Sequence, residues 1–146
     1  MSVIASVSRT IRVKPEEAFE KFVDFRNWEA FMPRAFRPRK GPKRALEAGD
    51  RVRMVLDTGV ARIPVPVDVF SIDPPREVTW GGGNRLLHAS HRFVFEDAGD
   101  GQTRLLSHEE WTGLLTRIPS VARRVKQQAE LVGKAQLAGF ARWVER

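Results

Sequence analysis

Residues 2–13, SVIASVSRTIRV, alternate apolar and polar positions with β-branched residues prominent. This is the two-residue period of a strand, with Val3, Ala5 and Val7 on its apolar face. The period then changes. Pro15 suits the first turn of a helix, Glu16 and Glu17 stand beside its positive end, and Ala18, Phe19, Phe22 and Val23 recur at helical spacing. PEEAFEKFVDF is therefore predicted as a short amphipathic helix. Asp24 is placed to cap a second short helix, NWEAFM, which Pro33 ends.

Beyond Pro33 the pattern turns to strands. RVRMVLD (51–57) sets Val52, Met54 and Leu56 on one face. IPVPVDVFSID (63–73) follows, with Pro64 and Pro66 confining its start to an edge or a bulge. Pro74 and Pro75 turn the chain into REVTW (76–80), and the glycines 81–83 read as a flexible connection. LLHASHRFVFED (86–97) and TRLLSHEEWTGLL (103–115) form a hairpin whose loop, AGDGQ, has glycines for positive φ. From Pro119 to the C-terminus, Val121, Val125, Ala129, Val132, Gln136, Phe140 and Val144 mark one stripe of a long helix, widened by Leu137 and Ala141. Gly133 and Gly139 weaken that helix by about 1 kcal/mol each, and suit a close approach of a strand or space for a ligand. The elements named are, in order, a strand, two short helices, five further strands and a long helix.

Strands joined by short turns make an antiparallel sheet with one face buried. With only one long helix to cover it, the sheet must curve around that helix, and space for a ligand tends to remain between them. The length of 146 residues and 42% hydrophobic content fit one domain, 1–146, with a core lined by nine Phe and four Trp. The chain has no Cys, which excludes disulfides, a thiolate nucleophile and Cys-ligated zinc. MSVIASVSRT lacks a charged segment followed by an apolar run, so no signal peptide is expected. No window reaches the roughly 18 apolar residues of a membrane span, and a cytoplasmic protein, monomer or homodimer, is the simplest expectation.

The formal charge is +7, and much of the excess lies in RAFRPRKGPKR (34–44). Arg34, Arg37, Arg39, Lys40, Lys43 and Arg44 meet no acid there. The run reads as a solvated loop, with weak contact to an anionic membrane or to nucleic acid as the alternative. Only Phe36 among these charges offers a stacking surface.

The segments VKPEEAFEKFVDFRNWEAFMP, EAGDRVRM, IDPPREVTWGG, HRFVFE and GQTRLLSHEEWTGLL, with the amphipathic C-terminal helix, resemble the polyketide cyclase/dehydrase, START-like (SRPBCC) superfamily. That group shares the helix-grip fold of the birch-pollen allergen. The resemblance implies an α+β fold, in which a curved seven-stranded antiparallel sheet wraps around a long C-terminal helix with two short helices after the first strand. It also implies a hydrophobic cavity between sheet and helix. It does not imply a particular reaction, since the fold hosts carriers, cyclases and sensors alike.

Strand parity then sorts the polar residues of the hairpin. His91, Phe93 and Phe95 share the aromatic face of one strand, and Leu105, Ser107, Glu109 and Trp111 share a face of the next. His91 and Glu109 therefore point inward on adjacent strands, while His108 and Glu110 go to the wet face. Three roles stay open for the pair: fixing strand register, orienting a ligand's hydroxyl or carbonyl, or acting as general acid and base. Other patterns fail on geometry. His88 and His91 fall on opposite faces of one strand, HEEW is not the helical zinc motif, Ser107 and His108 diverge, and GGGN lacks the features of a phosphate loop. No metal site and no cofactor are expected.

The remaining inward positions are ligand contacts or core. They are Met54, Val67, Val69, Trp80, Phe93, Phe95 and Trp111 from the sheet, and Gln136, Leu137 and Phe140 from the helix, with Phe31 and Met32 near the entrance. Gln136 is the one polar member of the helical stripe and needs a partner, a water or a ligand. Taken together, these features predict a protein that binds or transports a small hydrophobic molecule, lipid-like or aromatic. The alternative is a cyclase/aromatase-type enzyme using the same cavity.

Overall fold

A computed structural model describes residues 2–146. The strands are β1 (Val3–Ile11), β2 (Phe36–Lys40), β3 (Arg51–Asp57), β4 (Arg62–Asp73), β5 (Glu77–Gly83), β6 (His88–Gly99) and β7 (Gln102–Thr112). They form one curled antiparallel sheet in the order β1-β7-β6-β5-β4-β3-β2. The helices are α1 (Pro15–Val23), α2 (Trp28–Phe31) and α3 (Pro119–Val144), with short 3₁₀ turns at Phe25–Asn27 and Leu114–Arg117. This is the α+β helix-grip architecture.

Each local device has an identifiable cause. Pro15 opens α1 with Glu16 and Glu17 in its first turn and Lys21 in its last, so its charges match the helix dipole. The Asp24 carboxylate accepts from the Arg26 amide and caps the turn that leads into α2. The Trp28 indole N–H, wholly buried, donates to the Phe22 carbonyl at 2.8 Å and ties α2 to α1. Along β1, α3 is held by Lys126 Nζ donating to the Ile4 carbonyl (3.0 Å) and by the Arg12 amide donating to Glu145 (2.8 Å).

Two segments differ from the sequence expectation. Phe36–Lys40, inside the basic run read as a loop, is a strand at the edge of the sheet, paired with β3 through a bulge after Pro38. Its composition hid it, because edge strands are where charge and proline are tolerated. The glycines 81–83 are not a flexible connection either. They complete β5, pairing with Ser90, Ala89 and His88. A Cβ on Gly81 would lie 2.2 Å from the Ala89 carbonyl oxygen, and one on Gly82 2.6 Å from that of Pro66. The bare backbone here lets three neighbouring strands crowd together where the sheet curls.

Phe22 of α1 fills the middle of the space between sheet and helix. Its ring lies 4.7 Å from Phe93, 5.1 Å from Phe140, 5.4 Å from Phe95, 5.6 Å from Phe31 and 5.8 Å from Trp80, centroid to centroid. Edge and offset arrangements of this kind are the favourable ones for aromatic rings. Val52, Met54, Val67, Val69, Val78, Leu105 and Leu137 complete the same buried cluster.

Candidate functional site

Exposure is uneven along the concave face of the sheet. Toward α1 it is sealed, with Val52, Met54, Val78, Phe93 and Leu105 wholly buried. Toward the starts of β4 and β6 and the end of β7 it opens. Leu56 and Val65, on the face of Met54 and Val67 by the two-residue repeat, are half-buried, and Ile63 is 44% exposed. Ala89 and Trp111, paired with each other across β6 and β7, are half-buried too. On α3 the matching stripe is Val125 and Val132, half-buried, with Ala129 buried between them.

At the border between the two halves lies a polar cluster. His91 pairs directly with Glu109, and Phe93 with Ser107, so Ser107 is the diagonal neighbour of His91 and within its reach. The His91 Nε2 and the Ser107 Oγ are hydrogen-bonded at 2.6 Å. The His91 Nδ1 lies 4.0 Å from the Glu109 Oε1, beyond hydrogen-bond length. The side chains of His91 and Glu109 are 12% and 14% exposed, and Ser107 is buried. The Trp111 indole N–H, also buried, has no acceptor in hydrogen-bonding geometry among the described residues. Such an orphan donor is rare enough to need an explanation.

Burial sets the charge state of the cluster. It lowers the His91 pKa from 6.5 to about 3, with His108 adding a smaller push in the same direction. It raises the Glu109 pKa from 4.5 to about 7, against the smaller opposing effect of the Trp111 indole N–H, which approaches the carboxyl without reaching good hydrogen-bond geometry. Near neutrality the imidazole is therefore uncharged and the carboxyl holds its proton far more readily than an exposed one, so the 4.0 Å approach is not an ion pair. The site offers hydrogen-bonding groups with little net charge.

The other sequence-derived positions divide clearly. Met54, Val67, Val69, Trp80, Phe93, Phe95, Leu137 and Phe140 lie in the packed core. Trp80 and Phe93 also meet the cluster, with ring centroids 6.1 and 4.1 Å from that of His91. Gln136 is buried and its amide N–H donates to the Met32 sulfur at 3.2 Å, a weak acceptor. Phe31 and Met32 line a cleft of about 440 Å³ between α2 and α3, with Arg34, Arg142 and Trp143. His108 and Glu110 are on the outer face, where His108 bonds the Ser6 hydroxyl at 2.8 Å. Ser107 is the member that sequence reasoning missed as a histidine partner. Its adjacency to His108 drew the comparison, whereas the histidine it meets is on the next strand.

The basic run is partly absorbed by the fold. Arg37 donates to the carbonyls of Met32 and Glu29 and to the Glu29 carboxylate, and Arg44 is paired with Asp50 at 2.9 Å. Arg34 and Arg39, with Arg37 and Arg62, line an open cleft of about 840 Å³ around the edge strand β2. No helix among the described residues is long and apolar enough to cross a membrane.

A curled sheet gripping one helix, with a small polar cluster facing it, defines a helix-grip protein. The chain belongs to the family described as polyketide cyclase / dehydrase and lipid transport, whose model matches residues 2–145. Among solved structures it is similar to the ZhuI aromatase/cyclase from Streptomyces sp. R1128, with a TM-score of 0.78 and 13% identity over 100% of this chain and 95% of that one. It is also similar to the di-domain ARO/CYC BexL from the BE-7585A biosynthetic pathway (TM-score 0.75, 13% identity, 97% of this chain and 46% of that one). A third similar structure is TTHA0849 from Thermus thermophilus (TM-score 0.74, 15% identity, 97% and 96%). At these identities the likeness is one of fold. No curated protein matches the chain in sequence.

Proposed function

We propose that the protein binds a small, uncharged, largely apolar molecule carrying a hydroxyl or carbonyl group. Its apolar body lies at the half-open end of the concave face, and its oxygen meets the cluster of His91, Ser107, Glu109 and Trp111. The observation that carries this reading is the buried Trp111 N–H, which lies near the Glu109 carboxyl but meets no acceptor in hydrogen-bonding geometry among the described residues, beside the His91–Ser107 hydrogen bond. A ligand oxygen would satisfy that donor, while a ligand carboxylate would face a site with no cation to compensate it. Affinity would come mainly from apolar burial at about 25 cal/mol per Å².

The test is a titration with three ligands that share one alkyl chain and end in a hydroxyl, a methyl ketone or a carboxylate. The alcohol and ketone are expected to bind, with the carboxylate at least tenfold weaker above neutral pH. Ser107→Ala or Glu109→Gln should reduce alcohol affinity by about fivefold, the worth of one hydrogen bond near 1 kcal/mol, without abolishing it. Equal affinity for all three end groups, unchanged in both variants, contradicts the assignment.

The same cluster supports a second reading, an aromatase/cyclase-type reaction. In the tautomer that donates Nε2–H to Ser107, His91 presents a lone pair at Nδ1, 4.0 Å from a carboxyl that still holds protons near pH 7. A base and an acid so placed suit the removal and delivery of protons in aldol condensation and dehydration. Turnover of a linear poly-β-carbonyl thioester that falls by about a hundredfold in Glu109→Gln, with binding retained, would favour this reading over a carrier.

A further inference from the structure

The end of the molecule where β6 begins and β7 ends carries a surface that the fold does not require. The turn before β6 is stitched to the segment after β7, the Leu114 amide donating to the Arg85 carbonyl and the Leu115 amide to the Leu86 carbonyl, each at 3.0 Å. The Ile118 amide then donates to the Leu115 carbonyl as the chain enters α3. These three joined segments expose Leu86, Leu114 and Ile118 at 51%, 52% and 46%. Single exposed leucines are ordinary, but three on segments bonded to one another are not.

The segments that carry them, the longest stretch lying between Glu110 and Glu130, are charged with one sign only. Residues 84–87 and 111–129 hold Arg85, Arg117, Arg123, Arg124 and Lys126 and not one acid. Lys126 pairs with Glu130 at 3.2 Å, whereas no ion pair among the described residues engages the four arginines. The start of α3 also lacks any acid in its first turn and any side-chain cap, although α1 has Glu16 and Glu17 in the equivalent place. Arginines near a positive helix end oppose the dipole and do nothing for folding. Local rules broken without a structural gain point to a use outside the fold.

We propose that this surface docks on an anionic phospholipid bilayer, with Leu86, Leu114 and Ile118 entering the headgroup boundary and the arginines meeting lipid phosphates. Exposed aliphatic side chains on segments that also carry unpaired arginines match the two layers of such an interface, apolar within and anionic at its surface. The surface adjoins the half-open end of the concave face, so docking would bring the proposed ligand site to the bilayer. Docking itself does not depend on that site being occupied.

The experiment is sedimentation of the purified protein with phosphatidylcholine vesicles, with and without phosphatidylserine. Binding is expected only with phosphatidylserine and should weaken as salt rises. Two combined variants separate the contributions, Leu86→Ser with Leu114→Ser and Ile118→Ser, and Arg117→Gln with Arg123→Gln and Arg124→Gln. Each should reduce binding more than tenfold while circular dichroism shows the fold intact. Arg34→Gln with Arg39→Gln, on the other basic face, should leave it within twofold. Failure of the wild-type protein to sediment with anionic vesicles overturns the proposal. So does binding that is lost only in the Arg34 and Arg39 variant.

Discussion

His91 and Glu109 pull the stability of the protein in opposite directions as pH changes. Glu109 keeps its proton to about pH 7 when folded but releases it near 4.5 when unfolded, so its contribution is full below 4.5 and is lost as pH rises to 7. His91 resists protonation down to about pH 3 when folded but takes a proton near 6.5 when unfolded. Its contribution is full above 6.5 and is lost as pH falls toward 3. Between 4.5 and 6.5 the two slopes, each of about 1.4 kcal/mol per pH unit at most, cancel. Urea unfolding should therefore show a nearly flat stability across that range for the wild-type protein. Glu109→Gln should leave stability rising with pH up to 6.5, and His91→Asn should leave it falling from 4.5 to 7. Two flat variant profiles would contradict the burial of both groups. The inward direction of this pair was legible from strand parity, with Trp111 on one face and Arg104 on the other as the signal. The Ser107 bond was not, because a diagonal contact depends on the register between strands, which parity alone leaves free.

At the level of elements, the interior is set by a helix residue. Phe22 occupies the space that a curled sheet and one helix would otherwise leave between them. Phe22→Ala should cost about 3–5 kcal/mol by urea unfolding and create an apolar void. An apolar probe such as benzene should then raise the melting temperature of the variant more than that of the wild-type protein. A cost below about 1 kcal/mol would show that the ring is not central to the core. Gly139 has a related role where α3 crosses α2, since a Cβ there would lie 2.4 Å from the Phe31 carbonyl oxygen. Gly139→Ala should destabilise by about 1–3 kcal/mol despite alanine's better helix propensity, and a stabilised variant would refute the close approach. The helices and most strands were legible because their apolar periods differ. Strand β2 was not, since Arg37, Pro38, Arg39 and Lys40 carry no apolar alternation and its place is fixed by pairing with β3. The glycines of β5 misled for a comparable reason, as their role depends on the carbonyls of neighbouring strands.

For the whole molecule, the family and the helix-grip fold follow from patterns that span almost the entire chain. The extent of free space inside it does not follow from such patterns. Nearly every apolar residue read as a pocket candidate faces inward, yet most are core, because rings from α1, α2 and α3 together seal half of the concave face. What remains open is the end bounded by Ile63, Ala89, Trp111 and Val125, with the polar cluster at its floor. Whether that end holds a ligand is read by native mass spectrometry of the protein purified from its own host, followed by organic extraction and identification of what is released. One small, uncharged, oxygen-bearing apolar molecule per chain is expected, displaced when Ile63→Trp or Ala89→Trp fills the open end. A protein that emerges empty, and that also fails to take up any of a panel of long-chain alcohols and ketones, would contradict the proposed binding.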